Sequence, residues 1–312
     1  MKHEADAGPA RHGRVIASHG RDAVVLDDAG QAVPCRLQGR RLAVVCGDRV
    51  RWIRARGEGA AGRITEVLPR ATVLARLNLQ GETEAVAANL TQLVCVVAPF
   101  PAPDFGLCDR YLAAAEWAGL KACIVANKSD LPNESGTLAS ALQEYARLGY
   151  PVLRASKRAA DGVAELTARL AGETSVLVGQ SGVGKSSLIN RLVPGVEARV
   201  DVVSRASEMG RHTTSTSSLY QVPTGGELID SPGVRDFSPP LPAPRDLAGG
   251  FREIASLAPG CRFQDCRHRR EPGCAVAAAL GDGCISARRL ASYQRLLDLA
   301  EKMAQRAPRI RR

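Results

Sequence analysis

Hydrophobic and polar positions change rhythm twice along this chain. Across residues 13–68 they alternate in short runs, at 14–18, 23–27, 31–37, 48–54 and 62–67, with an Asp28-Ala29-Gly30 turn after the second. A two-residue period marks a strand with one buried face. Strands recurring every ~8–12 residues, with turns between them, predict a small barrel. Five strands in so short a span fit an OB-fold, with a ligand-free SH3-like barrel as the competing architecture. The polar residues 1–12 in front of it are expected to be disordered.

The second rhythm is continuous. Residues 93–98, 121–126, 151–155 and 176–178 are apolar without alternation, as parallel strands buried on both faces are. Between them, 109–118, 138–148 and 162–170 read as helices, and 227–230 is a further strand. Repeated strand–helix units build a doubly wound parallel sheet. Residues 69–76 read as a linker. Beyond Pro239 the rhythm stops at a proline-rich connector (239–244). A helix over 247–257, a Cys/His-rich segment and a helix over 286–304 follow. The reading is an α/β chain in three parts: an RNA-binding barrel (1–68), a nucleotide-binding unit (69–240) and a helical metal-binding unit with a basic tail (241–312).

Composition narrows the partners. Net charge is +10, and Lys and Arg together number 42 against 32 acids. Such a balance favours a polyanion, and the Arg on several barrel strands suits phosphate. There is no run of eighteen apolar residues and no signal-peptide core behind Met1, so the expectation is a cytoplasmic protein with no membrane partner. Of nine cysteines, Cys35, Cys46, Cys95, Cys108 and Cys123 are scattered in apolar context and read as buried thiols of a reducing compartment.

Chemistry enters at Gly179-Gln180-Ser181-Gly182-Val183-Gly184-Lys185-Ser186, which fits G-x-x-x-x-G-K-[ST] between a strand and a helix that opens with Ser187. Glycines let the backbone N–H groups turn inward onto phosphate. Lys185 can then reach the outer phosphates, and the Ser186 hydroxyl can bind Mg²⁺. Asn127-Lys128-x-Asp130 ends a strand about fifty residues upstream. A carboxylate there accepts from guanine N1 and its exocyclic amine, which adenine cannot match. Ser156 and Lys157 follow the next strand and fit the backbone loop that contacts the guanine oxygen. Asp230-Ser231-Pro232-Gly233 fits D-x-x-G, with Asp230 on Mg²⁺ and the Gly233 amide on the γ-phosphate. The Ser/Thr/Gly-rich stretch before it reads as a switch in which Thr213 or Thr214 completes the Mg²⁺ shell. No glutamine follows Gly233; Val234 cannot orient water. His212 is the nearest polar candidate for that catalytic role, against the alternative of an exposed loop histidine.

Cys261, Cys266, His268 and Cys274 offer three thiolates and an imidazole in a polar segment with little core of its own. Four such ligands suit structural, tetrahedral Zn²⁺. Cys284 is a possible substitute ligand, although its place after an apolar helical run suggests packing.

With these motifs in order, the chain resembles the ribosome small-subunit-dependent GTPase A family, whose guanine motif precedes its phosphate loop by circular permutation. The resemblance rests on 127–130, 155–157, 179–187, 230–233, on Gly210-Arg211-His212-Thr213-Thr214, and on the Cys/His set. It implies an N-terminal OB-fold, a central GTPase and a C-terminal zinc unit. It further implies GTP hydrolysis stimulated by the small ribosomal subunit during late maturation, with His212 at the position of the family's proposed catalytic histidine. A monomer is expected. The alternative is an rRNA-binding zinc protein that uses GTP only as a conformational ligand. Because the permutation places Asp230 just before the connector, a shift of Gly233 is expected to pull on the metal-binding unit.

Overall fold

A computed structural model describes residues 9–54, 61–78, 82–132, 136–158, 162–195, 217–231 and 239–306. Alternation in the N-terminal part closes a barrel. β1 (Arg11–His19), β2 (Asp22–Asp27), β3 (Ala32–Leu37), β4 (Arg49–Ile53) and β5 (Gly62–Val67) lie in the order β1-β2-β3-β5-β4, and β4 pairs back onto β1. This is the OB-fold order, not that of the competing barrel. Inward-facing Val15, Val25, Val33, Val50 and Ile64 surround Trp52, which is wholly buried. Trp52 Nε1 donates to the His12 carbonyl at 3.0 Å. A Cβ at Gly62 would stand 2.8 Å from Cys35 Sγ and 3.0 Å from the indole, so only glycine fits there. β1 begins inside the segment expected to be disordered, because Arg11 and His12 lie opposite Trp52 and Arg51 of β4.

The stretch read as a linker is a strand. β6 (Val73–Leu77) pairs antiparallel with β7 (Thr83–Ala88). Its buried side chains find their partners on the barrel and on the strand beyond the turn, so a short window around 69–76 carried no period. This hairpin covers the outer face of β1 and β2. Ile16 and Val24 share one core cluster with Leu74 and Val86, and Leu26 packs against it. The Ala88 amide donates to the Cys46 carbonyl at 3.0 Å.

The continuous runs form β8 (Gln92–Val97), β9 (Lys121–Ala126), β10 (Val152–Arg154) and β11 (Thr174–Val178), parallel in the order β10-β9-β8-β11. α1 (Phe105–Trp117) and α2 (Thr137–Arg147) cover one face. α3 (Ala164–Leu170) and α4 (Lys185–Leu192) cover the other. Both faces are therefore dry, which is why these strands do not alternate. β12 (Ser217–Gln221) and β13 (Glu227–Asp230) extend the sheet beside β11. β12 also pairs with β1 at Ala17↔Ser218 and Ser18↔Ser217, so barrel and nucleotide fold share one eleven-stranded sheet. Arg14 pins the joint through Glu227 at 2.8 Å and Thr174 at 3.2 Å.

The helix expected over 247–257 is split. A 3-10 turn (Pro244–Gly250) precedes α5 (Arg252–Leu257), because Gly250 lies under Trp117, where a Cβ would stand 2.6 Å from the indole. α6 (Ala275–Gly281) and α7 (Ala287–Arg306) complete this unit around Phe251, Ile254, Val276 and Leu297. The five scattered cysteines are buried as expected, whereas Cys284 is exposed instead of packed. Desolvation pushes the thiols of Cys35 and Cys46 up to about 12.

An ionic cluster mounts the C-terminal unit on α1 and α2. Asp109 is fully buried and accepts from Tyr145 at 2.6 Å, Arg289 at 2.8 Å and Arg288 at 2.9 Å. Arg289 forks onto Glu253 at 2.7 and 3.0 Å, and Arg288 reaches Glu144 at 2.6 Å. The two guanidinium groups bridge three carboxylates, with Asp109 shared between them. Asp109→Ala leaves two arginines without their shared anion and is expected to cost about 3–5 kcal/mol. A fall in the urea midpoint, with Asp109→Asn falling less, is the check.

Candidate functional site

Parallel strands end together, so their loops meet at one edge of the sheet. β11 delivers the phosphate loop there, β8 the 98–104 loop, β9 the Asn127 motif, β10 the Ser156 loop, and β13 ends at Asp230. Sequence order is irrelevant to this gathering.

Gly179, Gly182 and Gly184 hold φ of 143°, 82° and 98°, values that L side chains avoid. Space closes two of these positions as well. A Cβ at Gly179 would strike the Val96 carbonyl, and one at Gly184 would stand 2.5 Å from Asn127 Nδ2. Lys185 donates to the carbonyls of Gly179 and Gln180 at 2.5 and 2.9 Å, which keeps its ammonium curled over the loop. Ser186 and Ser187 are exposed on the first turn of α4, beside the N–H groups that have no helical acceptor, while Val183 is buried below.

The guanine motif is fastened to this loop. Asn127 is buried and donates from Nδ2 to the Val183 carbonyl at 2.8 Å. Lys128, at φ 57°, donates to the Gly182 and Phe100 carbonyls, each at 2.8 Å. Asp130 is exposed. Ser156 donates to its Oδ1 at 2.5 Å, and Arg158 stands 3.5 Å from Oδ2. The Ser156 bond first, with the charges of Arg158 and Lys157 assisting, holds the Asp130 carboxyl below the usual range. Lys157 is held by its carbonyl, which accepts from Arg191 of α4 at 2.5 Å. The structure thus brings Asn127, Lys128, Asp130, Ser156, Lys157 and the phosphate loop together. Asp230 ends β13 next to β11. The expectations for His212, Thr213, Thr214 and Gly233 lie outside the described residues.

Sequence reasoning missed Phe100, Gln180 as a tie, and Arg191. Gln180 accepts from the Asp104 amide at 3.2 Å, and Asp104 caps α1 through Leu107 at 2.9 Å. The available signal was the proline-rich run after β8, which leaves the sheet at the ligand-binding edge.

A second site lies in the C-terminal unit. Cys261, Cys266, His268 and Cys274 bring their ligand atoms within 4.8 Å of one another. Cys261 Sγ is 3.5 Å from His268 Nδ1 and 4.0 Å from Cys274 Sγ. A tetrahedral ion with bonds of about 2.0–2.3 Å needs edges of about 3.5–3.8 Å, so the donor set fits a metal. Burial holds the His268 imidazole below its ordinary value, which favours the neutral ligand form. Gln294 fixes the His268 carbonyl at 3.2 Å, and Arg269 ties the loop to Asp298 of α7 at 2.5 Å.

Comparison with known proteins agrees with this arrangement. The family model described as RsgA GTPase matches residues 67–239. The small ribosomal subunit biogenesis GTPase RsgA of Azotobacter vinelandii is 48% identical over 298 residues, covering 94% of this chain and 86% of the relative. The chain belongs to the RsgA GTPase family. The protein of that name from Pseudomonas putida is 46% identical over 303 residues, with 95% and 88% covered. The crystal structure of YjeQ from Thermotoga maritima superposes with a TM-score of 0.74 at 30% identity, over 94% of this chain and 99% of that one. YloQ, a circularly permuted GTPase, shares the fold at a TM-score of 0.71 and 24% identity, over 99% and 100% of the two chains. As an RsgA GTPase the chain is a GTP hydrolase, and the reading of GTP as a conformational ligand alone is not favoured.

The Ser156 contact sets a pH dependence. A depressed carboxyl pKa keeps Asp130 ionised until pH falls through the lowered value, so if this carboxylate receives guanine, binding is expected to persist down to that point. Ser156→Ala raises that pKa, and GDP binding is expected to weaken at a higher pH than in the wild type. Titrations of GDP affinity from about pH 6 down to about pH 3, through the ordinary aspartate value of about 3.9, read the difference.

Proposed function

We propose that this RsgA-family enzyme binds the small ribosomal subunit and acts in its late maturation, hydrolysing GTP to GDP and phosphate with stimulation by the subunit. The observation that carries the reading is the fastening of Asn127 and Lys128 to the phosphate loop, which joins base recognition to phosphate binding. The relatives named for small-subunit biogenesis supply the partner. We read the chain as units bounded near residues 68 and 240.

Asp130 accepts from the guanine edge, and the amide at Lys157 meets its oxygen. The amides of 180–186 and the Lys185 ammonium hold the phosphates. Ser186, Asp230 and one of Thr213 or Thr214 hold Mg²⁺, which neutralises charge on the outer phosphates. Gly233 senses the γ-phosphate. His212 orients the attacking water, because Val234 has no polar atom with which to do so. The Cys261, Cys266, His268 and Cys274 set holds one Zn²⁺; a closed four-ligand shell leaves no position for substrate, so this ion is structural.

No described helix is long and apolar enough to cross a membrane. With a ribosomal partner, this supports a cytoplasmic site of action, and rRNA contact follows from the chain's net positive charge. We assign a monomer.

GTP turnover by wild type and His212→Ala, with and without purified small subunits, tests the reading. Stimulation of the wild type that is lost in a variant with intact GTP binding is expected. Metal analysis is expected to give one zinc per chain, reduced in Cys261→Ser together with its thermal midpoint.

A further inference from the structure

An OB barrel ordinarily meets oligonucleotides on its β2–β3 face and adjoining loops. That route is half closed here. The outward residues of β2, Val24 and Leu26, belong to the core shared with the β6–β7 hairpin, and Val24 is wholly buried. The barrel has spent this face on docking to the rest of its own chain.

The register shows what remains open. On the outside of β1, β4, β5 and the adjoining end of β3, His12 lies opposite Arg51, Ile53 opposite Arg63, and Arg63 beside Arg36. Arg49 follows on β4, two residues before Arg51 and on the same side. These five basic residues are all exposed. They cross four strands, a width of roughly 14 Å at the usual spacing between strands. Arg36 is paired with Asp22 at 2.9 Å and Arg51 with Glu66 at 3.3 Å. Arg49 and Arg63 make no ion pair among the described residues. The inward sides of β4 and β5 are spent on Val50, Trp52 and Ile64, so burial of the strand does not explain these arginines.

We propose that this β1–β4–β5 face, and not the β2–β3 face, is where the barrel docks on RNA, and that it reads the phosphate backbone of a duplex. The inference rests on the ribosomal reading above and deepens it. Two guanidinium groups on adjacent strands, with no ion pair among the described residues, suit phosphate, since arginine forks onto its oxygens. The barrel exposes no large aromatic side chain among its described residues, so it offers no platform for stacking unpaired bases. Recognition through shape and charge follows, as is usual for double-stranded RNA.

The test is Arg49→Glu with Arg63→Glu in the full chain, with Arg147→Glu at the exposed end of α2 as the control. Binding to purified small ribosomal subunits, and separately to a short RNA duplex, is measured across salt concentrations. GTP binding and thermal midpoint report folding. The double variant is expected to bind both probes more weakly, with a log–log salt slope shallower by about one per arginine, while the control stays near wild type. Wild-type affinity and slope in the double variant overturn the proposal. If the duplex effect appears but wild type does not bind subunits, the face stands and the ribosomal reading fails.

Discussion

Parallel strands impose the constraint on which this protein depends. Each strand of such a ladder ends at the same edge, so residues distant in sequence arrive together whatever their order. The Asn127 motif precedes the phosphate loop, yet β8 is flanked directly by β9 and β11. The loop is then set by atoms from the other motif: the Val183 and Gly182 carbonyls are held by Asn127 and Lys128. The Asn127 motif and the phosphate loop are one hydrogen-bonded unit. The permutation costs the site nothing, because register and not connectivity decides which loops touch.

Much of this was legible in the sequence because it is local. The glycines of 179–184, the continuous apolar runs and the Cys/His spacing each report a backbone or ligand requirement inside a short window. What stayed hidden is what depends on distant partners. The β6 strand has no period strong enough to announce itself, since its partners are β7 and the barrel wall. The 3-10 turn before α5 arises where Gly250 meets Trp117, a contact across more than a hundred positions. Phe100 and Arg191 act through backbone carbonyls, which no side-chain motif encodes. Asp109 looked like any polar residue of an amphipathic helix, and nothing near it marked two arginines arriving from α7.

The chain order suggested a lever: the Asp230 motif leads by a short proline-rich connector to the metal-binding unit. The described contacts give that unit a second attachment. Asp109, Tyr145 and Glu144 receive Arg288 and Arg289, and Arg252 stacks on Tyr150 at 3.9 Å while bonding Glu116 at 2.7 Å. The barrel, by contrast, joins the sheet at β12 and β13, the two strands that lead up to Asp230. The two appendages are therefore mounted on different parts of the nucleotide fold.

That mounting bears on how the molecule can be divided. In sequence the C-terminal unit looks detachable, a bead strung on prolines. In space it supplies the counter-ions for a carboxylate sealed between α1 and α2. A nucleotide fold cut free at the connector would lose both cations that Asp109 and Tyr145 share, and the surface that covers them. Shuffling or trimming of this architecture has to carry Arg288 and Arg289 along, or replace Asp109 in the same step. The seam drawn by the proline run is a boundary of the chain, not a boundary of stability.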